Sequence, residues 1–148
     1  MSKFKAQSPV VHIPSFTAHE IGVADLHHLL NGVKAELPIG FLDSWYYYTD
    51  LEGWGKVLWD LAFNSNLYKS DSFDCDNYAF KAMSRCAEIY GLNTLAVVIG
   101  DIPQGRHAFN MLFHGDGFML WEPNAGFSYA GTPFEIGENG YIVDKVIM

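Results

Sequence analysis

Cysteine is scarce in this chain: Cys75 and Cys86 are the only two in 148 residues. They fall eleven positions apart on one predicted helix. At the helical rise they stand about 16 Å apart, too far for a disulfide. Two free thiols fit a reducing compartment, and a cytoplasmic setting is expected. Basic charge is scarce as well. Nine lysines and arginines against seventeen acids leave a net charge of −8, and the basic residues are scattered rather than striped. That balance argues against nucleic acid and anionic membrane as partners. No segment approaches the roughly 20 apolar residues of a bilayer span, and the first twenty lack a signal peptide's apolar core. No repeat, low-complexity tract or linker divides the sequence. One domain over residues 1–148 is expected, large enough to bury a core without disulfide or metal.

Apolar residues make up 49% and aromatic residues 16%, against 18% charged, which gives a folded chain with rings to spare for a cleft. Residues 1–20, with Pro9 and Pro14, read as an extended arm. Ala24 to Val33 reads as a short helix with Leu26, Leu29, Leu30 and Val33 on one stripe. The ring-dense block Phe41 to Tyr68 keeps helical spacing after Asp50, a candidate N-cap. The clearest helix starts near Cys75, after Asp71, Ser72 and Asp74, and ends before Gly91. Strands follow over Thr94–Ile99, His107–Phe113, Phe118–Glu122 and Tyr141–Ile147. Helices first and antiparallel strands second predict an α+β fold.

Three positions carry chemistry. Cys75 sits where the unsatisfied amides and the dipole of a helix N-terminus favour a thiolate. Asp74 and Asp76 oppose that ionisation, so a low thiol pKa requires an imidazolium partner, and His107 is the candidate. A hairpin closed by a two-residue loop at Gly115-Asp116, or a four-residue loop from His114 to Gly117, sets His107 opposite Asn124 with Glu122 on the diagonal. Either residue could then hold one ring nitrogen while the other faces the thiol. Phe109, Met111, Phe113, Phe118 and Leu120 share that face and are expected to pack on the Cys75 helix. A one-residue bulge would reverse this parity. Cys86 reads as core. His27-His28 with Asp25, and His12 with His19, lack metal-ligand spacing. Asp71, Asp74 and Asp76 lack the glycine and closing glutamate of an EF-hand and read as a helix cap. The aromatic block from Trp45 to Tyr68 reads as a wall on the substrate side.

The runs Asp74-Cys75-Asp76-Asn77-Tyr78-Ala79, Arg106-His107-Ala108-Phe109-Asn110 and Trp121-Glu122-Pro123-Asn124 lie within residues 71–125, about a third of the chain. Together they resemble the papain-like and transglutaminase-like cysteine protease superfamily, and within it the cysteine-protease domain attached to the fairy-ring mushroom agglutinin. The resemblance implies a papain-like core of N-terminal helices packed on a C-terminal antiparallel sheet, with Cys75 as nucleophile, His107 as base and Glu122 as orienter. It implies no cofactor for the chemistry itself, and a divalent cation, calcium or manganese, near Asp74 and Asp76. The chain departs from the pattern in having no glutamine shortly before the cysteine, only Gln7 and Gln104. The Cys75 amide and a ring donor from Trp54 or Tyr48 are the candidates for holding a developing oxyanion, with Asn124 also on the substrate side. The expected function is a hydrolase that cleaves an amide, peptide or thioester bond of a peptide or protein substrate through an acyl-enzyme on Cys75. Acyl transfer follows if an amine replaces water. The alternative is a non-catalytic peptide- or protein-binding module on the same scaffold, of phage or mobile-element origin. A metal-dependent hydrolase with Cys75 and His107 as ligands is a third reading.

Overall fold

Local capping decides where two of the helices begin in the computed structural model, which describes residues 12–148. The Asp50 carboxylate accepts from the Gly53 amide at 2.8 Å and opens α2 (Leu51–Val57), satisfying one of the donors that a helix start leaves free. Asp74 is the N-cap of α3 (Cys75–Arg85), and its amide donates to the Asn77 side chain at 3.1 Å. The helix runs on through a π-turn, Cys86–Tyr90, and stops at Gly91, whose φ of 66° suits a residue without Cβ. Before these elements, β1 (His19–Gly22) and β2 (Trp45–Tyr48) pair antiparallel, with α1 (Val23–Leu30) following β1 directly. Of the arm expected over residues 1–20, residues 1–11 lie outside the described residues, 12–18 have no regular secondary structure, and the last two open β1. Among the described residues no helix is long and apolar enough to cross a membrane.

The second half forms an antiparallel sheet of five strands: β3 (Leu95–Ile102), β4 (Gly105–Phe113), β5 (Phe118–Trp121), β6 (Phe134–Glu135) and β7 (Ile142–Ile147), in the spatial order β6-β5-β4-β3-β7. Helices and an antiparallel sheet make a mixed α/β fold. The β4–β5 hairpin closes with the His114 amide on the Gly117 carbonyl at 3.0 Å, and its register runs Phe113↔Phe118 to Asn110↔Trp121.

Both faces of the sheet are covered, which is why β3 and β4 read as nearly continuous apolar runs. On one face Val98, Phe109, Met111, Phe113 and Leu120 meet Leu26 and Leu30 of α1, Tyr46 of β2, and Tyr141 and Val146. On the other face Leu95, Leu112 and Trp121 meet Ala82 and Cys86 of α3 and Trp54, Val57, Leu58 and Leu61 of the α2 segment. Val97 and Ala108 touch Ala79 there. The Phe109 row therefore packs on α1 and β2, not on the Cys75 helix. Alternation along β4 puts His107 and Phe109 on one face and Ala108, Asn110 and Leu112 on the other. Helix α3 takes the second face, where small Ala79, Ala82 and Ala108 allow close approach.

A register shift between Ile99 and Gly100 bends the β3–β7 pairing. A Cβ on Gly100 would collide with the Ile142 carbonyl oxygen. The missing side chain lets β7 close onto β3 at that point, directly beside Tyr141.

Candidate functional site

Two buried anchors set the position of α3. The Asn110 amide nitrogen donates to the carbonyls of Ala79 on α3 and Ala96 on β3, both at 3.0 Å. The Tyr78 hydroxyl donates to the Asn64 carbonyl at 2.6 Å. The segment around Phe63 is in turn held on the chain beyond β5, with the Phe63 amide on the Pro123 carbonyl at 2.8 Å and the Ala125 amide on the Phe63 carbonyl at 2.9 Å. The helix start is thereby fixed against the end of β4, where the β5 ladder has already stopped at Asn110. There the half-buried Cys75 thiol meets the His107 ring and the Ala108 backbone amide.

His107 is only 6% exposed and Glu122 is fully buried. The imidazole Nε2 lies 2.8 Å from Glu122 Oε2, which leaves Nδ1 as the nitrogen turned to the thiol. Glu122 is held from three sides: His107 on Oε2, the Tyr141 hydroxyl also on Oε2 at 2.8 Å, and the Asn124 amide on Oε1 at 3.0 Å. Aromatic rings surround the imidazole: Phe127 lies 4.8 Å from it, and Phe109 is stacked at 6.1 Å.

The electrostatics follow from these contacts. Burial alone would lower the His107 pKa, but the hydrogen bonds it makes to Cys75 and Glu122 and their negative charge outweigh it and push it up to about 9. For Cys75 the largest influence is the hydrogen bond to His107, which lowers the thiol pKa. Burial opposes it, the Ala108 amide and the His107 charge assist it, and Asp74 opposes it. The two groups touch and are shifted in opposite directions, each favouring the charged form of the other. Cys86 is fully buried and its thiol is pushed up by desolvation.

The structure brings Cys75, His107 and Glu122 together. The register, continued past Asn110↔Trp121, sets Asn124 across from His107, yet the Asn124 side chain accepts from the Gly126 amide at 2.9 Å and braces the turn. Trp54 and Tyr48 lie elsewhere, so neither supplies the oxyanion donor. Trp54 is fully buried and donates to the Phe113 carbonyl at 2.9 Å. Tyr48 packs edge-on against Phe113 at 4.8 Å. Phe113 is six residues along β4 from His107, about 20 Å away at the rise of a strand. The Ala108 amide, not an aromatic ring, is the donor beside the sulfur. Asp74 and Asp76 remain neighbours, and the Asp76 carboxyl is raised above its usual range, first by its hydrogen bond with Asp74. No group of three or more His, Cys, Asp or Glu side chains that could hold a metal exists among the described residues. Tyr141 was legible only as the start of the last strand; nothing nearby in sequence points it at Glu122.

No family model and no curated protein matches the chain. Solved structures of the lectin from Polyporus squamosus do match. One is the PSL1a–E64 complex, at 19% identity and a TM-score of 0.65, covering 87% of this chain and 51% of that one. This chain shares their fold. The other, at 19% identity and a TM-score of 0.62, covers 87% of this chain and 49% of that one. It is the lectin bound to a human-type influenza-binding epitope, Neu5Acα2-6Galβ1-4GlcNAc. The present chain thus spans about half the length of the chains that it matches. The solved chains are described as a lectin and not as a cysteine protease, and this corrects the assignment to the papain-like and transglutaminase-like proteases. The reading as an amide or peptide hydrolase, the peptide or protein partner, and the peptide-binding alternative are corrected with it. The three motifs that carried the resemblance lie within about a third of the sequence. They encode a helix start and a hairpin end, local features that do not by themselves specify a substrate.

Proposed function

We propose that this chain is a binding module whose site is a reactive thiolate, Cys75 paired with His107 and ordered by Glu122, and which captures a small electrophilic ligand covalently on sulfur. The observation that carries the reading is the buried imidazole, tied through Nε2 to Glu122 at 2.8 Å with the thiol on its other side. In the capture step the thiolate gives its electron pair to an electrophilic carbon and a carbon–sulfur bond forms. The bond from that carbon to its leaving atom breaks with its pair. Where that atom is oxygen, the imidazolium returns a proton to it. The solved complex of a chain of this fold with E64 supports choosing that compound as the first probe. Intact-protein mass after incubation with E64 is expected to show one adduct, mapped to Cys75, unchanged in Cys86→Ser and absent in Cys75→Ala. A wild-type chain that gains no mass between pH 5 and pH 9 would refute the reading.

A second reading, a carbohydrate surface, is favoured by a separate observation. Trp45 and Tyr47 on the outer face of β2 are 55% and 41% exposed, and Asn93 pins that strand by accepting from the Tyr47 amide at 2.6 Å and donating to the Trp45 carbonyl at 3.2 Å. Two exposed rings on one face of a held strand offer a flat apolar surface of the kind that a sugar ring stacks on. Titration with Neu5Acα2-6Galβ1-4GlcNAc, the glycan in the solved lectin complex, is expected to shift the Trp45 indole NMR signal saturably. Trp45→Ala should weaken binding about tenfold or more, the loss of one interface anchor. An unmoved indole signal at millimolar glycan would dismiss it.

A further inference from the structure

We propose that Tyr141 is a positioning residue for the Cys75–His107 pair, acting through the Glu122 carboxylate; the inference rests on the reading of Cys75 as a thiolate site. Tyr141 is 2% exposed, and its hydroxyl donates to Glu122 Oε2, the same oxygen that faces His107 Nε2, each at 2.8 Å. Two donors on one oxygen, with the Asn124 amide on the other, define the rotation of the carboxylate. They also leave it no exposed edge, since Glu122 is fully buried.

The second consequence is a matter of charge. A buried carboxylate stays ionised only when donors satisfy it. His107 can offer Glu122 a proton as well as a hydrogen bond, whereas the Tyr141 hydroxyl, made less acidic by burial and by the Glu122 charge, offers a hydrogen bond only. Tyr141 therefore favours the state in which the proton stays on the imidazole, the state that a neighbouring thiolate needs. Without the hydroxyl, Oε2 loses one of its two donors, the carboxylate is less firmly aimed at Nε2, and the positive charge facing the sulfur is less firmly held.

The fold supplies Tyr141 with care. Its ring is wedged edge-on against Phe109 at 4.9 Å and Phe134 at 5.0 Å. The strand that follows it is drawn in where Gly100 lacks a side chain. The titratable groups facing this set are Asp74 toward Cys75, Glu122 toward both His107 and Tyr141, and Tyr129 toward Tyr141. None of them is removed by the substitution Tyr141→Phe.

The test is the pH profile of iodoacetamide alkylation at Cys75 in the Cys86→Ser background, read by mass, for the parent, Tyr141→Phe and His107→Ala. The expected result is a Tyr141→Phe midpoint about one pH unit above the parent, in the same direction as His107→Ala and smaller. Fluorotyrosine at position 141, a stronger donor in the same ring, should move the midpoint the other way, and it serves where Tyr141→Phe folds poorly. A His107-dependent profile that Tyr141→Phe and fluorotyrosine leave in place would overturn the role of Tyr141 alone. A profile indifferent to His107 overturns the thiolate reading and this inference together.

Discussion

Replacing His107 by alanine is expected to slow alkylation of Cys75 at pH 7 by about tenfold and to return its midpoint to the ordinary thiol range near 8.5. An unassisted thiol is only a few per cent thiolate at neutral pH. Restoring that state removes most of the nucleophile, and the greater intrinsic reactivity of the more basic thiolate recovers part of the loss. The direction rests on two opposed shifts. His107 is raised from 6.5 to about 9. Its contribution to folding is therefore complete below 6.5 and is lost as pH rises through about 9. Cys75 is lowered, so its contribution is present above the ordinary thiol range and is lost as pH falls through its depressed value. Between that depressed value and about 9 the ion pair persists, and alkylation should hold a plateau over that window. The measurement is an iodoacetamide rate series from pH 5 to 10 on Cys86→Ser and on Cys86→Ser/His107→Ala. Superimposed profiles would remove His107 from any role in ionising the thiol.

Trp54→Ala is expected to cost about 3–5 kcal/mol of stability, the range for truncating a large buried ring, while leaving the pH midpoint of Cys75 alkylation where it is. Trp54 is fully buried with Leu58, Leu61, Leu95 and Leu112, and its indole nitrogen satisfies the Phe113 carbonyl. Truncation empties a cavity between the α2 segment and the sheet and strands that carbonyl. Urea denaturation followed by the remaining tryptophans gives the stability change, and the alkylation series gives the midpoint. A midpoint displaced together with a small loss of stability would restore Trp54 to the site, contrary to its place at the far end of β4.

The contrast between these residues shows how far reasoning from sequence reaches. His107, Glu122 and Asn124 belong to one hairpin, where a short turn and a period of two fix which residues lie opposite. Such relations are local and legible in the string of letters. Trp54 and Tyr48 carry equally suggestive chemistry, but their distance from Cys75 depends on where the α2 segment and β2 dock. No periodicity encodes that. The β1–β2 ribbon and the short β6 are not legible in the sequence for a related reason. Strands of four and two residues are too brief for alternation to show, and they exist because a partner strand is present.

By itself the sequence determined the start of α3 at Cys75, through the Asp74 cap; the β4–β5 register, through the turn at His114 to Gly117; and the acidic, cysteine-poor character of the chain. Only the tertiary structure decided which face of the sheet α3 covers. Both faces of β4 are apolar, so the pattern was satisfied either way, and the small side chains Ala79, Ala82 and Ala108 settled the choice. Only the tertiary structure, too, brought Tyr141 onto Glu122, nineteen residues away. That contact depends on the closing of β7 against β3 at Gly100, a close approach made by two strands far apart in sequence and permitted by the absence of one side chain.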